Sequence, residues 1–276
     1  MVLLTRKLAS RKFIDLVNLA ACKWANWDPT IPVEPGDYSR IDRETDQFQK
    51  EGNIFRETEI ADIVSKYSLI TGPRVDDYSI QSLNVKSIKV APDAHAGALE
   101  TAGPTFGGQW QFGSKRAALL LLYGSRITRL PEELFEELKE TKWGHGKHIV
   151  SHIHSCPAYA LYLSDRDNET VMINLHADVP LGPAPDVGIN AIWTASGVSG
   201  TFQRACADGS VFVPLYQVKE LKKRRGRRRQ SPDPLNDDKE DWVPVDFPWN
   251  ILDDDGKEMA DVSVGVVPPM LVYPHY

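Results

Sequence analysis

Apolar and polar positions follow two rhythms along this chain. One is helical and confined to short stretches; the other is a two-residue alternation that fills the middle of the sequence. Residues 2–22 contain neither Pro nor Gly. Lys7, Arg11, Asp15, Asn18 and Cys22 recur there at spacings of four, four, three and four, which places them on one narrow polar stripe of a helix. Leu4, Leu8, Phe13, Ile14, Leu16, Val17 and Leu19 cover much of the remaining surface, and Arg6 and Lys12 flank the stripe. Such a helix fits two settings: packed on a body with its polar edge in water, or laid on an anionic membrane. Residues 24–52, rich in Pro, Asp and Arg with Trp24, Trp27 and Tyr38 interspersed, read as short strands or ordered loop. Residues 58–67 read as a short helix, from Ile60, Ile63 and Val64.

Beyond Gly72–Pro73 the pattern turns to strand. Tyr78 and Ile80, Leu83 and Val85, then Ile88 and Val90 alternate with slips of phase, which predicts a strand with bulges. Residues 91–114, rich in Gly and Ala, read as an irregular connection, 115–130 as an apolar strand, and 131–142 as a helix with Pro first, acids early and Lys late. Strands are expected over 147–154 and 158–164. The strongest alternation follows: Val171, Ile173, Leu175, Ala177 and Val179 on one face, a turn at 180–186, then Val187, Ile189, Ala191, Trp193 and Ala195. Strands of this length suit a tilted bilayer crossing and equally a soluble sandwich. Residues 207–209 mark a turn before a last strand over 210–218. The mixture predicts an α+β fold.

Charge changes the picture at one place. Residues 219–229 read KELKKRRGRRR, eight Lys or Arg against one acid, and residues 230–276 then carry eleven Asp or Glu against two Lys. This step divides a body, 1–229, from an acidic tail, 230–276. Trp242, Phe247, Trp249, Ile251 and Leu252 lie among the tail's prolines and acids, and a purely disordered acidic segment has no need of them. They are expected to anchor the tail on the body, with the basic surface of the first helix as the candidate place. The net charge is −6, and residues 1–218 carry 22 basic against 26 acidic residues, which argues against a protein that coats nucleic acid.

Candidate chemistry is sparse. Cys22, Cys156 and Cys206 are odd in number and far apart, which suits a reducing compartment and no disulfide framework. No signal peptide is visible, and the longest apolar run, 117–123, is far too short for a membrane helix, so a cytosolic protein is expected. His145, His148, His152 and His154 cluster without Cys or carboxylates at ligand spacing, so they read as solvated or core histidines. Gly197-Val198-Ser199-Gly200 falls one residue short of a nucleophile elbow and is expected inside a strand run. No phosphate loop or dinucleotide fingerprint occurs. No catalytic residue, metal site or cofactor is assigned, and no enzyme is expected. The basic run keeps three readings: a nuclear-import or nucleic-acid patch, a linker open to proteases, or a lipid-facing segment worth up to about 1 kcal/mol per basic residue.

The order of several weak motifs carries a family resemblance. LTRKLASRKF at the start, GNIFRETEIADIVSKYS, SLNVKSIKVAPDA and the closing DGSVFVPLYQVKEL together resemble the gasdermin pore-forming domain, and most closely the short gasdermin-like proteins of filamentous fungi. Pro214 stands where the mammalian proteins tend to have Ala, and only the short tail follows, where mammalian members carry a helical inhibitory domain. The resemblance implies a twisted, mainly antiparallel sheet flanked by short helices. It implies acidic phospholipid binding by Arg6, Lys7, Arg11 and Lys12, joined by Lys222, Lys223, Arg224 and Arg225 of the basic run. It implies membrane strands from 159–200, with Val171, Ile173, Leu175, Ala177, Val179, Val187, Ile189, Ala191 and Trp193 toward lipid, and a ring of many copies. Arg225, Arg227, Arg228 and Arg229 form the candidate cleavage junction. The expected protein is cytoplasmic at rest and on the cell membrane, or a mitochondrial membrane, once a protease or a divergent homologue displaces the tail. The outcome is lytic, regulated cell death of fungal incompatibility or defence type. The rival is a β-rich nucleic-acid- or protein-binding module.

Overall fold

The alternating stretches pair into antiparallel sheets and the helical ones pack at their margins. The computed structural model describes residues 6–42, 47–90, 106–177, 191–209, 211–223 and 240–259. Helix α1 (Arg6–Ala21) leads into β1 (Trp24–Ala25), β2 (Asp37–Asp42), β3 (Gln47–Asn53) and α2 (Ala61–Val64). Then come β4 (Ile70–Gln81), β5 (Val85–Val90), β6 (Phe106–Phe112), β7 (Ala118–Arg129) and α3 (Glu132–Lys139). The chain continues through β8 (His148–Cys156), β9 (Ala158–Leu163), β10 (Glu169–Ala177), β11 (Ala191–Ser196), β12 (Thr201–Cys206), β13 (Phe212–Lys223) and β14 (Glu240–Pro244). The fold is mostly antiparallel β-sheet with a few short helices, as an α+β reading requires.

Two sheets share these strands. The larger follows the order β1-β13-β8-β7-β9-β12, with β14 added on β13, β4 on β7, and the β2–β3 ribbon on β8; the smaller runs β11-β10-β6-β5. Four stretches of chain pass from one sheet to the other: β4 into β5, β6 into β7, β9 into β10, and β11 into β12. In the large sheet their limbs lie in the order β4-β7-β9-β12, in the small one β5-β6-β10-β11. The order is the same. The small sheet is therefore the far half of two long hairpins, 70–129 and 158–206, bent over at the middle.

The bend encloses a core. Leu119, Leu121, Tyr123, Ala160 and Tyr162 from the large sheet meet Phe106, Trp110, Phe112, Val171, Ile173, Leu175 and Trp193 from the small one. The opposite face of the large sheet, with Leu120, Leu122, Leu161, Leu163, Leu215 and Val218, packs against Phe13, Ile14 and Val17 of α1 and against Trp24 and Trp27. A third cluster joins Leu134, Phe135 and Leu138 of α3 to Ile60, Val64, Tyr38, Ile149 and Trp242. Each such fully buried side chain contributes about 1.5–3 kcal/mol. The run 117–123 lies in a strand buried on both faces, which explains why it is continuously apolar and does not alternate.

Several expectations are corrected. Part of the expected irregular connection is strand β6: Phe106, Gly108, Trp110 and Phe112 all point into the core, an alternation that the glycines disguise. The phase slip at 82–84 is not a bulge. It is where the chain leaves one sheet for the other, with Leu83 left 89% exposed at the corner. The helix expected over 58–67 keeps a single turn, Ala61–Val64. Gly197-Val198-Ser199-Gly200 is not inside a strand; it is the bend between β11 and β12, with Gly197 at φ +77. The last strand does not stop at 218, for β13 continues to Lys223 and so includes the first half of the basic run.

Candidate functional site: a strap over the first helix

Residues 240–259 cross the body as a strap held at two places. At the first, β14 pairs with the end of β13, Leu221 opposite Trp242 and Lys219 opposite Pro244. Trp242 is buried against Phe135, ring centroids 5.3 Å apart, and beside Gly144, where a Cβ would come within 2.9 Å of the indole. His145 Nε2 and Glu240 Oε2 lie 2.9 Å apart next to this contact. Lys219, buried in β13, donates to both oxygens of Glu132 on α3 at 2.7 and 2.8 Å and lies over the Phe135 ring. This lysine of the basic run belongs to the body's framework.

At the second place the strap lies on α1. Phe247 and Trp249 stack on one another and both meet Trp24 edge-on. The Trp249 indole N–H donates to Asp15 Oδ1 at 2.9 Å and the Leu252 amide donates to Asp15 Oδ2 at 3.1 Å. Arg11 donates to the Asn250 carbonyl at 2.7 Å and to Glu258 Oε1 at 2.9 Å, and its guanidinium sits over the Trp249 ring. Lys12 donates to the Leu252 carbonyl at 2.6 Å and pairs with Asp254 at 3.2 Å. Leu252 itself is buried and Ile251 half-buried. The strap's far end is a compact turn: Asp253 accepts from the amides of Asp255 and Lys257, and Gly256 sits at φ +83.

The middle of the polar stripe expected at a solvated edge is thus covered, while Lys7 and Cys22 at its ends stay exposed. Arg11, Lys12 and Asp15 are all buried, Asp15 completely. The physical reason is that the stripe's charges meet their complements on the strap: two cations face carbonyls and carboxylates, and one carboxylate faces two N–H donors. Burial pushes the Asp15 carboxyl up to about 6, against the opposing pull of Trp249, Leu252, Arg11 and Lys12.

The remaining residues singled out by pattern and resemblance fall as follows. Arg6 opens α1 and Lys7 is exposed on it. Val171, Ile173, Leu175 and Trp193 share the inward face of the β10–β11 pair, with Leu175 opposite Trp193, while Ala177 pairs with Ala191 at its last rung. Val179, Val187 and Ile189 lie outside the described residues, as do Arg224, Arg225, Arg227, Arg228 and Arg229. Lys222 is exposed and pairs with Glu220, and Lys223 ends β13. The histidines do not assemble: His154 is buried and its imidazole is pushed down to about 3, His152 down to about 4, both chiefly by burial, and His145 faces the strap. Among the described residues no group of three metal-ligating side chains occurs.

The bends of the second hairpin adjoin the strap. Tyr162 O–H donates to Glu169 Oε1 at 2.7 Å, the Ser199 amide donates to the same oxygen at 2.7 Å, and the Gly200 amide donates to Tyr162 Oη at 3.0 Å. One buried carboxylate therefore ties β9, the root of β10 and the β11–β12 bend together. A hollow of about 440 Å³ opens between the two bends, lined by Arg166, Asp167, Glu169, Gly197 and Ser199. Beside it, buried Arg116 pairs with Asp165 and reaches the strap at the Asp254 carbonyl, 3.3 Å away. Sequence reasoning missed Asp15, Trp24, Arg116 and Gly144 as strap partners. Only Asp15 left a signal, its place one turn beyond Arg11 on the stripe.

No protein-family model matches this chain, and no curated protein matches it either.

Proposed function

We propose that the chain is a gasdermin-like pore-forming protein held inactive by its own strap. The observation that carries this reading is the pair of bent hairpins with one strand order in both sheets. Unbending 70–90, 106–129, 158–177 and 191–206 turns them into two continuous hairpins without changing a neighbour. In the second hairpin Leu163 faces Thr201 and Met172 faces Ser196, so the two registers differ by four residues. An even offset keeps each side chain on its face. β10 has nine residues, close to the roughly 9–11 that a tilted membrane strand needs. Its inward face, Val171, Ile173 and Leu175, with Trp193 opposite, supplies the lipid-facing side once it leaves the core.

A single opened hairpin would leave backbone N–H and C=O groups without partners in hydrocarbon, so insertion requires many copies closing a ring. The strap supplies the control. Its carbonyls and carboxylates occupy Arg11 and Lys12 as the phosphates of an acidic lipid would. A cut within 224–239 lets the strap dissociate, and a divergent homologue lifts it uncut; once it has left, both cations are open to lipid. The protein then moves from the cytosol to an anionic membrane and lyses it, with no catalytic residue or cofactor involved.

Dye release from phosphatidylserine- or cardiolipin-containing liposomes tests the reading. Chain 1–229 should leak them rapidly, chain 1–276 at least tenfold more slowly, and phosphatidylcholine vesicles should stay intact. Equal leakage by both chains removes the strap's role. Inert liposomes together with a salt-dependent nucleic-acid shift would replace the reading with a β-rich binding module.

A further inference from the structure

The strap touches the body at a point that masking α1 does not require. Arg116, 5% exposed, sits just ahead of β7 and turns its Nε to the Asp254 carbonyl of the strap, while its Nη1 pairs with Asp165 in the β9–β10 bend. Lys115 lies 3.8 Å from Asp255 in the same turn. The other bend of that hairpin is packed alongside. Arg116 and Asp165 share a small cavity with Ser199, Gly200 and Ala9 of α1. A Cβ at Gly200 would collide with the Leu163 carbonyl, so β12 starts pressed on the end of β9. The two bends are then knotted by Glu169, whose Oε1 takes both Tyr162 O–H and the Ser199 amide. Among the described residues its Oε2 is buried without a partner, as is Ser199 Oγ. A buried carboxylate with one oxygen unsatisfied carries a desolvation penalty that offsets part of what its bonds return, so the knot depends on its surroundings to stay closed.

We propose that the strap has a second action: through Arg116 it bolts the bend of the second hairpin shut, so that releasing the strap loosens the Glu169 knot as well as uncovering α1. Arg116, Asp165 and Glu169 are positioning residues in this scheme. The inference rests on the reading that the hairpins unbend, and names what restrains them.

Amide hydrogen exchange on the full-length chain tests it, with the Leu252 amide reporting strap docking on α1 and the Ser199 and Gly200 amides reporting the knot. Undocking the strap by the pair Trp249→Ala and Leu252→Ala should speed exchange at Ser199 and Gly200 at least tenfold, although neither substitution touches the bend. Arg116→Lys keeps a cation for Asp165 and shortens the reach to Asp254. It should free Ser199 and Gly200 while Leu252 stays protected. Wild-type exchange at Ser199 and Gly200 after undocking overturns the proposal, as does an Arg116→Lys chain whose knot stays closed, since a purely structural ion pair would be rescued by lysine. Arg116→Met could unfold the chain, and the central amides of β7 and β8 would then exchange too; the lysine variant decides. Liposome leakage is scored separately. Its absence in every variant counts against pore formation, whereas the exchange pattern alone judges the bolt.

Discussion

Asp15 is where the strap's chemistry concentrates. The Trp249 and Leu252 donors to its carboxylate come from the strap, and the charges that act on it are Arg11 and Lys12 on α1, which themselves pair with Glu258 and Asp254 of the strap. Burial, which the strap completes, raises its pKa from the ordinary 3.8 to about 6. The docked form therefore binds the proton more tightly than the open form, so docking is favoured at low pH and weakens as pH rises from about 4 to about 6, then levels off. Leu252 amide protection should fall across that window in the native chain and stay flat in Asp15→Asn; an unchanged slope in that variant would refute the assignment. Gly144 carries a second expectation at this scale. Gly144→Val forces a side chain against the Trp242 ring and should cost about 1–3 kcal/mol, seen as faster exchange at 240–244 and a lower unfolding midpoint.

Among elements, the strap is a strand at one end and an aromatic clasp at the other, and the two ends dock on different clusters. Trp249→Ala removes the ring from Trp24, Phe247 and Arg11 together and leaves one Asp15 oxygen without its donor. The expected loss is about 2–3 kcal/mol of docking, with β14 still paired to β13, because the Trp242 contact is independent. Exchange at Leu252 should rise while exchange at 241–243 hardly moves. The aromatic content of an acidic tail already pointed to docking, and Trp242, Phe247, Trp249 and Leu252 meet the body, while Ile251 is half-buried. The basic surface of the first helix is the expected place, and the strap meets it at Arg11 and Lys12. Trp24 and the α3 loop were not legible as partners: they lie 95 residues or more upstream, and no local rhythm links them to the tail.

At the scale of the molecule, two long hairpins bend over so that their far halves form the smaller sheet, and the strap meets the second of them at its bend through Arg116. Cutting 224–239 with an inserted protease site leaves both clasps in place. Leakage of anionic vesicles should therefore follow the cut with a lag that Trp249→Ala shortens several-fold. Leakage from the uncut native chain at the same rate would break the link between strap and pore. Added salt should slow the first binding step, since it screens Arg11, Lys12 and the basic run from the lipid surface.

The sequence by itself determined the helix at the start, the strands with clean alternation and the aromatic residues that pack in the tail. These follow from local periodicity and charge, which a single stretch of chain carries whole. Only the tertiary structure decided that Arg11, Lys12 and Asp15 are buried and that 106–112 is a core strand. It also decided that the phase slip at 82–84 is a passage between sheets, and that Lys219 belongs to the body through Glu132. The reason is common to all four. Each depends on a partner distant in sequence, and a charge or a glycine reads as exposed or irregular until the group that satisfies it is in place.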